Sequence, residues 1–216
     1  MNRFLLSLAI LVLGQTIVSA QIYEKNVEFD KKKYNAFVTD LNYPAAAVET
    51  ALMKGFAKLG YKPKQEKGLF NKDKGYLVFS AAIVKSIYDT PSDYLVKVED
   101  AGKKGKEAST LTFVVINQGV ALSREVDQAK DKSARDFIGS FDADFVAETL
   151  ELQIKSQEDA VAKTEKKLNN LKQDQLDLEK KLENNKQSQK DTEAELAAKN
   201  QALELLRGKR IIPAGN

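Results

Sequence analysis

The sequence predicts an α+β fold: a small antiparallel sheet with one or two packed helices, followed by a long C-terminal helical coiled-coil arm. Strand-like and helix-like patterns alternate between residues 34 and 117, and apolar residues recur at seven-residue spacing after about residue 150. A separate apolar segment stands at the N-terminus. The predicted domains are therefore a cleaved signal peptide (1–20), a small α+β domain (21–132) and a helical arm (133–216).

Residues 1–20 have the pattern of an export signal. Arg3 supplies a positive start, Phe4 to Leu13 is an apolar run broken only by Ser7, and Val18-Ser19-Ala20 places small residues before a cleavage point at Gln21. The run is shorter than the roughly 20 residues that span a bilayer. The sequence therefore predicts a periplasmic or secreted protein with no transmembrane span after signal removal.

The first elements of the α+β domain are a strand and a helix. Tyr34 to Leu41 alternates polar and apolar residues, as strands do. Pro44 is suited to a first helical turn, with Asn42 as the candidate cap, and Gly60 is suited to the end of the helix. The apolar residues at helical spacing between them are Val48, Leu52, Phe56 and Leu59.

Strand patterns dominate the next part of the chain. Gly75 to Ile87 is apolar on both faces, which predicts a central strand. Asp93 to Glu99 and Thr110 to Asn117 alternate, and the segment 99–107 between them predicts a hairpin loop. A helix is expected to begin between Val120 and Ala134. Its first apolar stripe, expected to pack against the sheet, is Phe137, Phe141, Phe145 and Val146.

The arm is predicted from a seam of apolar residues on two seven-residue series offset by three, like the a and d positions of a coiled coil. The coiled-coil seam residues are Ile154, Val161, Leu168, Leu171, Leu178, Leu182, Leu196, Leu203 and Leu206. Between Leu182 and Leu196 the series carries polar residues, so the seam is interrupted in its middle.

The favoured arrangement of the arm is an antiparallel helical hairpin with its turn near residues 184–188. Asn184-Asn185 can end one helix, Ser188 with Asp191 can begin the next, and Gly208 is expected to close it. The facing apolar pairs would be Leu168–Leu206, Leu171–Leu203 and Leu178–Leu196. An unbroken helix is the alternative, because the turn region lacks glycine and proline and is rich in good helix formers.

A parallel, in-register homodimer of the arm is disfavoured. Its flanking interhelical pairs would carry like charges, and polar seam residues would weaken it further. The like-charge pairs are Lys167–Lys172, Asp174–Glu179 and Lys181–Lys186.

Composition argues against most enzyme chemistry. The chain has no histidine, cysteine or tryptophan, and so lacks the usual acid–base group, thiolate nucleophile and transition-metal ligands. Asp142, Asp144 and Glu148 leave a carboxylate hydrolase as a distant option, although such acids are more often solvating charges. The prediction is no enzyme, with no catalytic, cofactor-binding or metal-binding residues and no cofactor.

Charge and motifs give no sign of nucleic-acid binding. The formal net charge is only +3, and the basic residues are spread along the chain rather than gathered in one patch. The densest basic run, Lys103-Lys104-Gly105-Lys106, lacks the GxxxxGK[ST] spacing of a phosphate loop.

Two classes of function fit these observations. The first is an exported interaction or scaffold protein of the cell envelope, which binds another envelope protein through the arm and the α+β domain. The alternative is a periplasmic binding module for a small molecule, lipid or glycan, with the arm as spacer or lid. Its candidate contact residues are Tyr76, Tyr88 and Tyr94.

Overall fold

A computed structural model describes residues 21–65, 75–103 and 107–211. The predicted signal peptide lies outside these residues. The described chain forms a seven-stranded sheet and three helices, and the α+β prediction is confirmed. The elements are β1 (Tyr23–Phe29), β2 (Lys32–Leu41), α1 (Ala45–Lys58), β3 (Lys64–Gln65), β4 (Tyr76–Ala82), β5 (Ser92–Asp100), β6 (Ser109–Asn117), β7 (Val120–Ala121), α2 (Gln128–Gly139) and α3 (Asp142–Ile211).

All pairings in the sheet are antiparallel, in the order β1-β2-β6-β5-β4-β3, with the short β7 also paired to β6. The β5–β6 hairpin predicted around residues 99–107 is present. The predicted strand from Gly75 to Ile87 is shorter, and it lies inside the sheet, next to its edge, between β5 and β3. It ends at Ala82, beyond a bulge at which Ala81 takes a φ of +51°, and its outer neighbour is the two-residue β3.

Two tight turns of the sheet use left-handed backbone at non-glycine residues. Asp30 and Lys31 connect β1 to β2 with φ of 49° and 60°. Gln118 and Gly119 connect β6 to β7 with φ of 50° and 81°. Positive φ at both central residues is what a two-residue type I′ hairpin requires. Because neither dipeptide is an Asn-Gly or Asp-Gly signal, strands β1 and β7 were not predicted.

The main core lies between one face of the sheet and the helices. Phe56 of α1 stacks on Phe79 of β4 with ring centroids 3.9 Å apart, and Phe113 of β6 is fully buried beside them. From the helices, Val48, Leu52, Phe56, Ala134, Ile138, Phe141 and Phe145 contribute to this core. The helix-periodic residues of α1 therefore face the sheet, apart from Leu59, which is exposed.

The opposite face of the sheet has its own smaller cluster, formed by Ala36, Val38, Tyr76, Leu95 and Val114. Phe29 at the end of β1 meets Tyr76 of β4 edge-to-face, with centroids 5.2 Å apart. β2 pairs with β6 only from Phe37 to Leu41. The outer half of the β1–β2 hairpin is therefore not paired to β6 and can pack over this face. Both sheet faces are therefore apolar and covered.

Helix ends follow the predicted signals in part. Gly60, with φ of +91°, terminates α1, and the Tyr61 amide donates to the Phe56 carbonyl. At the N-terminus of α1 the cap is Pro44 itself, without a side-chain hydrogen bond, so Asn42 is not the cap. The Asp127 side chain caps α2 by accepting from the amides of Ala129 and Lys130.

The first compact unit continues to Ile154, well beyond the predicted boundary at residue 132. Phe141 and Phe145, at the start of α3, are buried in the main core, and Phe137 packs against it, as their spacing predicted. Val146 is an exception, since its side chain is 48% exposed. The second unit begins at Lys155 and is formed by the remainder of α3.

Candidate functional site

The seam residues all lie on α3, and each of them is exposed to solvent. Exposure runs from 43% for Ile154 to 64% for Leu178. The full set is Ile154, Val161, Leu168, Leu171, Leu178, Leu182, Leu196, Leu203 and Leu206. Such a regular row of exposed leucines is an apolar surface without a partner in the described chain, and it is the candidate functional site.

The predicted turn near residues 184–188 is absent, because α3 is one helix of 70 residues from Asp142 to Ile211. The side chains predicted to cap the turn instead form hydrogen bonds along the helix. The Gln187 amide donates to Asp191 Oδ1 at 2.9 Å, and the Gln189 amide donates to Asn185 Oδ1 at 2.8 Å. Contacts four residues apart stabilise a helix. The structure therefore contains the unbroken-helix alternative.

The expected end at Gly208 is also absent, since α3 continues to Ile211. A methyl group at Gly208 would meet nothing within 4 Å, and Gly208 is not among the glycines with positive φ. Glycine inside a helix costs about 1 kcal/mol relative to alanine, which is too little to stop a long helix by itself.

An open groove of about 450 Å³ runs along the seam before its polar interruption. Leu171, Leu178 and Leu182 line it together with the polar residues Asp174, Gln175 and Glu179. The Gln175 side-chain amide donates to Glu179 Oε1 at 2.8 Å. A groove on one helix surface cannot enclose a small ligand, which needs most of its surface covered. A second helix fits it better.

Some exposed apolar residues of α3 were not included in the predicted seam. Leu150 is 54% exposed and lies three heptads before Leu171, on the same seven-residue series as that leucine. Extending the heptads backwards would have found it. Leu176 and Leu205 are 59% and 70% exposed but lie off the two seam series.

The three carboxylates considered for hydrolysis each contact α1 or the residues just before it. Tyr43 donates to Asp142 Oδ1 at 2.8 Å, and Lys54 Nζ lies 2.5 Å from Glu148 Oε1. Lys58 Nζ lies 3.7 Å from Asp144 Oδ1. The structure therefore uses these acids to attach the start of α3 to α1, and it does not gather them around a cavity.

The tyrosines considered for ligand contact belong to the packing of the domain. Tyr76 and Tyr94 are buried, at 4% and 0% exposure, and Tyr88 is half-buried with Lys130 Nζ 5.3 Å from its ring centroid. Burial raises the pKa of Tyr94 to about 12, while hydrogen bonding to the Val84 backbone and to Ser92 acts in the opposite direction. These rings are not available as an exposed platform.

Tyr43 has a perturbed hydroxyl at the junction of α1 and α3. Burial, the hydrogen bond to Asp142 and the charge of that carboxylate together raise the pKa of Tyr43 to about 12. A tyrosine that keeps its proton and donates a hydrogen bond to a carboxylate makes a structural contact between the two elements.

Within residues 21–65, 75–103 and 107–211, no cluster of three or more acidic side chains is placed to hold a metal ion. In the same part of the chain, no helix combines the length and apolar character needed to cross a bilayer.

Comparison with known proteins adds no further constraint. No protein-family model matches the chain, and a search of curated proteins finds no match.

Proposed function

We propose that this chain is an exported, non-enzymatic interaction or scaffold protein of the cell envelope, which binds a protein partner through the seam of α3. The observation that supports the proposal is a row of half-exposed leucines at heptad spacing on an uninterrupted helix. Export and a location in the periplasm or outside the cell are part of the proposal and derive from the N-terminal signal pattern.

The physical reason is that the seam gains free energy when it is covered. Complete burial of a leucine side chain contributes about 1.5–3 kcal/mol, so a half-exposed one can still gain about 1 kcal/mol. Contiguous apolar surface of this kind marks interaction sites on proteins. In addition, most helical stability comes from packing of an apolar face, and residues 151–209 are all exposed. A bound partner would supply that packing.

The alternative, a binding module for a small molecule, lipid or glycan, receives less support. Two of its three candidate tyrosines are buried and the third packs under Lys130. The groove on α3 is open and mostly apolar, which suits another helix.

Photo-crosslinking in the producing cell tests the proposal. A benzophenone amino acid replaces Leu178, on the seam, or Leu176, off the seam. Both leucines are similarly exposed, at 64% and 59%, so the two probes differ in the face of the helix they occupy and not in accessibility. We expect a discrete adduct with a second polypeptide from position 178, and at least about tenfold less from position 176.

Mass spectrometry of the adduct then identifies the partner, which the proposal expects to be another envelope protein. Equal adducts from both positions would indicate random collision, and no adduct from position 178 would show that the seam is not a binding surface. Either result would contradict the proposal.

A further inference from the structure

The seam of α3 consists of two groups of leucines separated by a polar stretch. Leu168, Leu171, Leu178 and Leu182 precede the stretch, and Leu196, Leu203 and Leu206 follow it. The side chains in both groups are 44–64% exposed. Because α3 is helical throughout, the two groups cannot reach each other within one chain. The two groups of leucines could pack on each other, but within the described chain neither group is covered.

We propose that α3 pairs with α3 of a second copy of this chain, antiparallel, about a two-fold axis at Gln187. The inference rests on the proposed function, because it concerns the same surface, but it replaces the envelope partner with a second copy of this chain. The leucines before the polar stretch of one chain then pack on the leucines after it in the other, and the two-fold axis repeats every pair.

The apolar residues find apolar partners in this register. Positions of the a series face positions of the d series, as antiparallel coils require. The apolar layers are Leu168–Leu206, Leu171–Leu203 and Leu178–Leu196, and each occurs twice. The remaining layers are Gln175–Lys199, Leu182–Thr192 and, beside the axis, Asn185–Gln189. Apart from Leu182, polar seam residues therefore face polar ones.

Neighbouring registers are poorer. When one helix slides by a heptad in one direction, Leu178–Leu203 is the one kind of apolar layer that remains. Sliding it in the other direction leaves Leu171–Leu196 and Val161–Leu206. Each shift also places leucines of the seam opposite polar residues, which removes buried apolar area. Of these three antiparallel registers, the one with its two-fold axis at Gln187 has the most apolar layers.

Charges at the edges of the seam favour the antiparallel orientation over the parallel one. The parallel dimer has three kinds of like-charge flanking pair and would also place Lys199 against itself in the seam. The antiparallel dimer has attractive flanking pairs, Lys181–Glu195 and Glu165–Arg207, and places Lys199 opposite Gln175. Its repulsive pairs are Glu179–Glu193, Lys167–Lys209 and Lys186–Lys186 on the axis. The antiparallel orientation has both attractive and repulsive flanking pairs, whereas the flanking charge pairs of the parallel orientation are all repulsive.

The test uses the purified full chain with one cysteine at Lys172, which is exposed and lies beside the seam rather than in it. Because the chain has no cysteine of its own, a spin label attaches at this position alone. Molar mass is measured by light scattering, and the distance between the two labels is measured by double electron–electron resonance.

We expect twice the monomer mass and a label separation of about 45 Å, since each label stands 15 residues from the axis at 1.5 Å per residue. A separation below about 20 Å would indicate a parallel dimer and would overturn the proposal. A monomeric mass with no intermolecular distance would overturn it as well.

Two substitutions locate the interface. Leu178→Glu places a carboxylate opposite Leu196 twice in each dimer, and we expect the dissociation constant to rise at least about 100-fold. Leu176→Glu makes the same change on a similarly exposed leucine off the seam, and we expect less than about a threefold effect. Equal effects of the two substitutions would contradict the seam as the dimer interface.

The outcomes separate this inference from the proposed function. A monomeric purified chain whose position-178 adduct contains another envelope protein would overturn the inference and leave the function standing. An antiparallel dimer whose adduct contains only this chain would support the inference and remove the envelope partner from the proposed function. A monomer without any adduct would overturn both.

Discussion

At the scale of single residues, the junction between α1 and α3 depends on a missing side chain. Gly55 lies in the middle of α1, where helix propensity alone would favour alanine. A methyl group built at this position would overlap the ring of Phe141, which is buried in the core. The glycine therefore allows the aromatic ring to approach the backbone of α1.

We predict that Gly55→Ala destabilises the fold by about 1–3 kcal/mol, the usual cost of overpacking a core. Urea unfolding measures the loss. Gly139→Ala is the matched control, because a methyl group there meets nothing within 4 Å, and it should be neutral or stabilising by up to about 1 kcal/mol. A second variant, Phe141→Leu in the Gly55→Ala background, should recover part of the loss. If the two substitutions simply added their costs, the ring would not be the cause.

The raised pKa values of Tyr43 and Tyr94 predict a specific alkaline sensitivity. Each hydroxyl holds its proton more tightly in the folded chain than in the unfolded one, with a pKa of about 12 against an ordinary 10. The stability they contribute is therefore fully present below about pH 10 and is lost as pH rises towards 12. Absorbance of tyrosinate near 295 nm should show ionisation close to pH 12, and Tyr43→Phe should reduce that late component. An unchanged titration curve in the variant would contradict the assignment to Tyr43.

At the scale of elements, α2 holds the edge strand β1 in place. Arg135 donates to Asp131 Oδ2 at 2.9 Å, to the Ile22 carbonyl and to Glu24, and its guanidinium lies 5.3 Å from the ring centroid of Phe37. The hydrogen bonds to Asp131 raise the pKa of Arg135 further, so its charge is permanent. Because Asp131 is only 5% exposed, this carboxylate depends on the guanidinium for its counter-charge.

We predict that Arg135→Met costs about 1–3 kcal/mol in unfolding free energy, since it leaves the carboxylate of Asp131 buried without a cation. Hydrogen exchange of the β1 amides should accelerate as well. Lys132→Met is the control: its pair with Asp136 has the same i,i+4 spacing but is exposed, and it should cost no more than about 0.5 kcal/mol. Similar costs for both substitutions would show that burial of Asp131 is not the source of the effect.

For α3, we predict a long distance between residues that a hairpin would bring together. Spin labels at Lys172→Cys and Gln201→Cys should be about 44 Å apart along a continuous helix, and less than about 20 Å apart in a hairpin turned near residue 187. Each labelled chain is diluted about tenfold with the cysteine-free natural chain, so that distances between copies do not contribute. A short distance under dilution would restore the hairpin.

At the scale of the whole molecule, the proposed role requires export. We predict that the chain recovered from outside the cytoplasm begins at Gln21, which intact-mass measurement and N-terminal sequencing check. Ala20→Tyr should block processing, because signal peptidase requires a small residue at that position. Gln21→Asn, on the other side of the bond, should have little effect. Recovery of an unprocessed natural chain would contradict the predicted cleavage and, with it, the proposed compartment.

Local apolar patterns in the sequence are enough to identify several elements of this protein. The periodic apolar residues of α1, the alternation in β2, β5 and β6, the termination at Gly60 and the heptads of α3 all appear where their spacing predicted them. For the sheet and α1, periodicity reports which side of the element faces the core. The seam of α3 comes from the same kind of spacing but is exposed; it stays a prediction, and it omits Leu150.

Other features depend on contacts between residues far apart in the chain, and these are visible only in the folded protein. Strand β1 is polar and exposed along much of its length, and it exists because β2 supplies its hydrogen bonds and Arg135 holds its start. The first compact unit extends to Ile154 because the start of α3 belongs to the core, through Phe141 against Gly55 and the acids that meet Tyr43, Lys54 and Lys58. The choice between hairpin and continuous helix was equally beyond the pattern. Both arrangements satisfy the same heptads, and only the structure shows a single helix from Asp142 to Ile211.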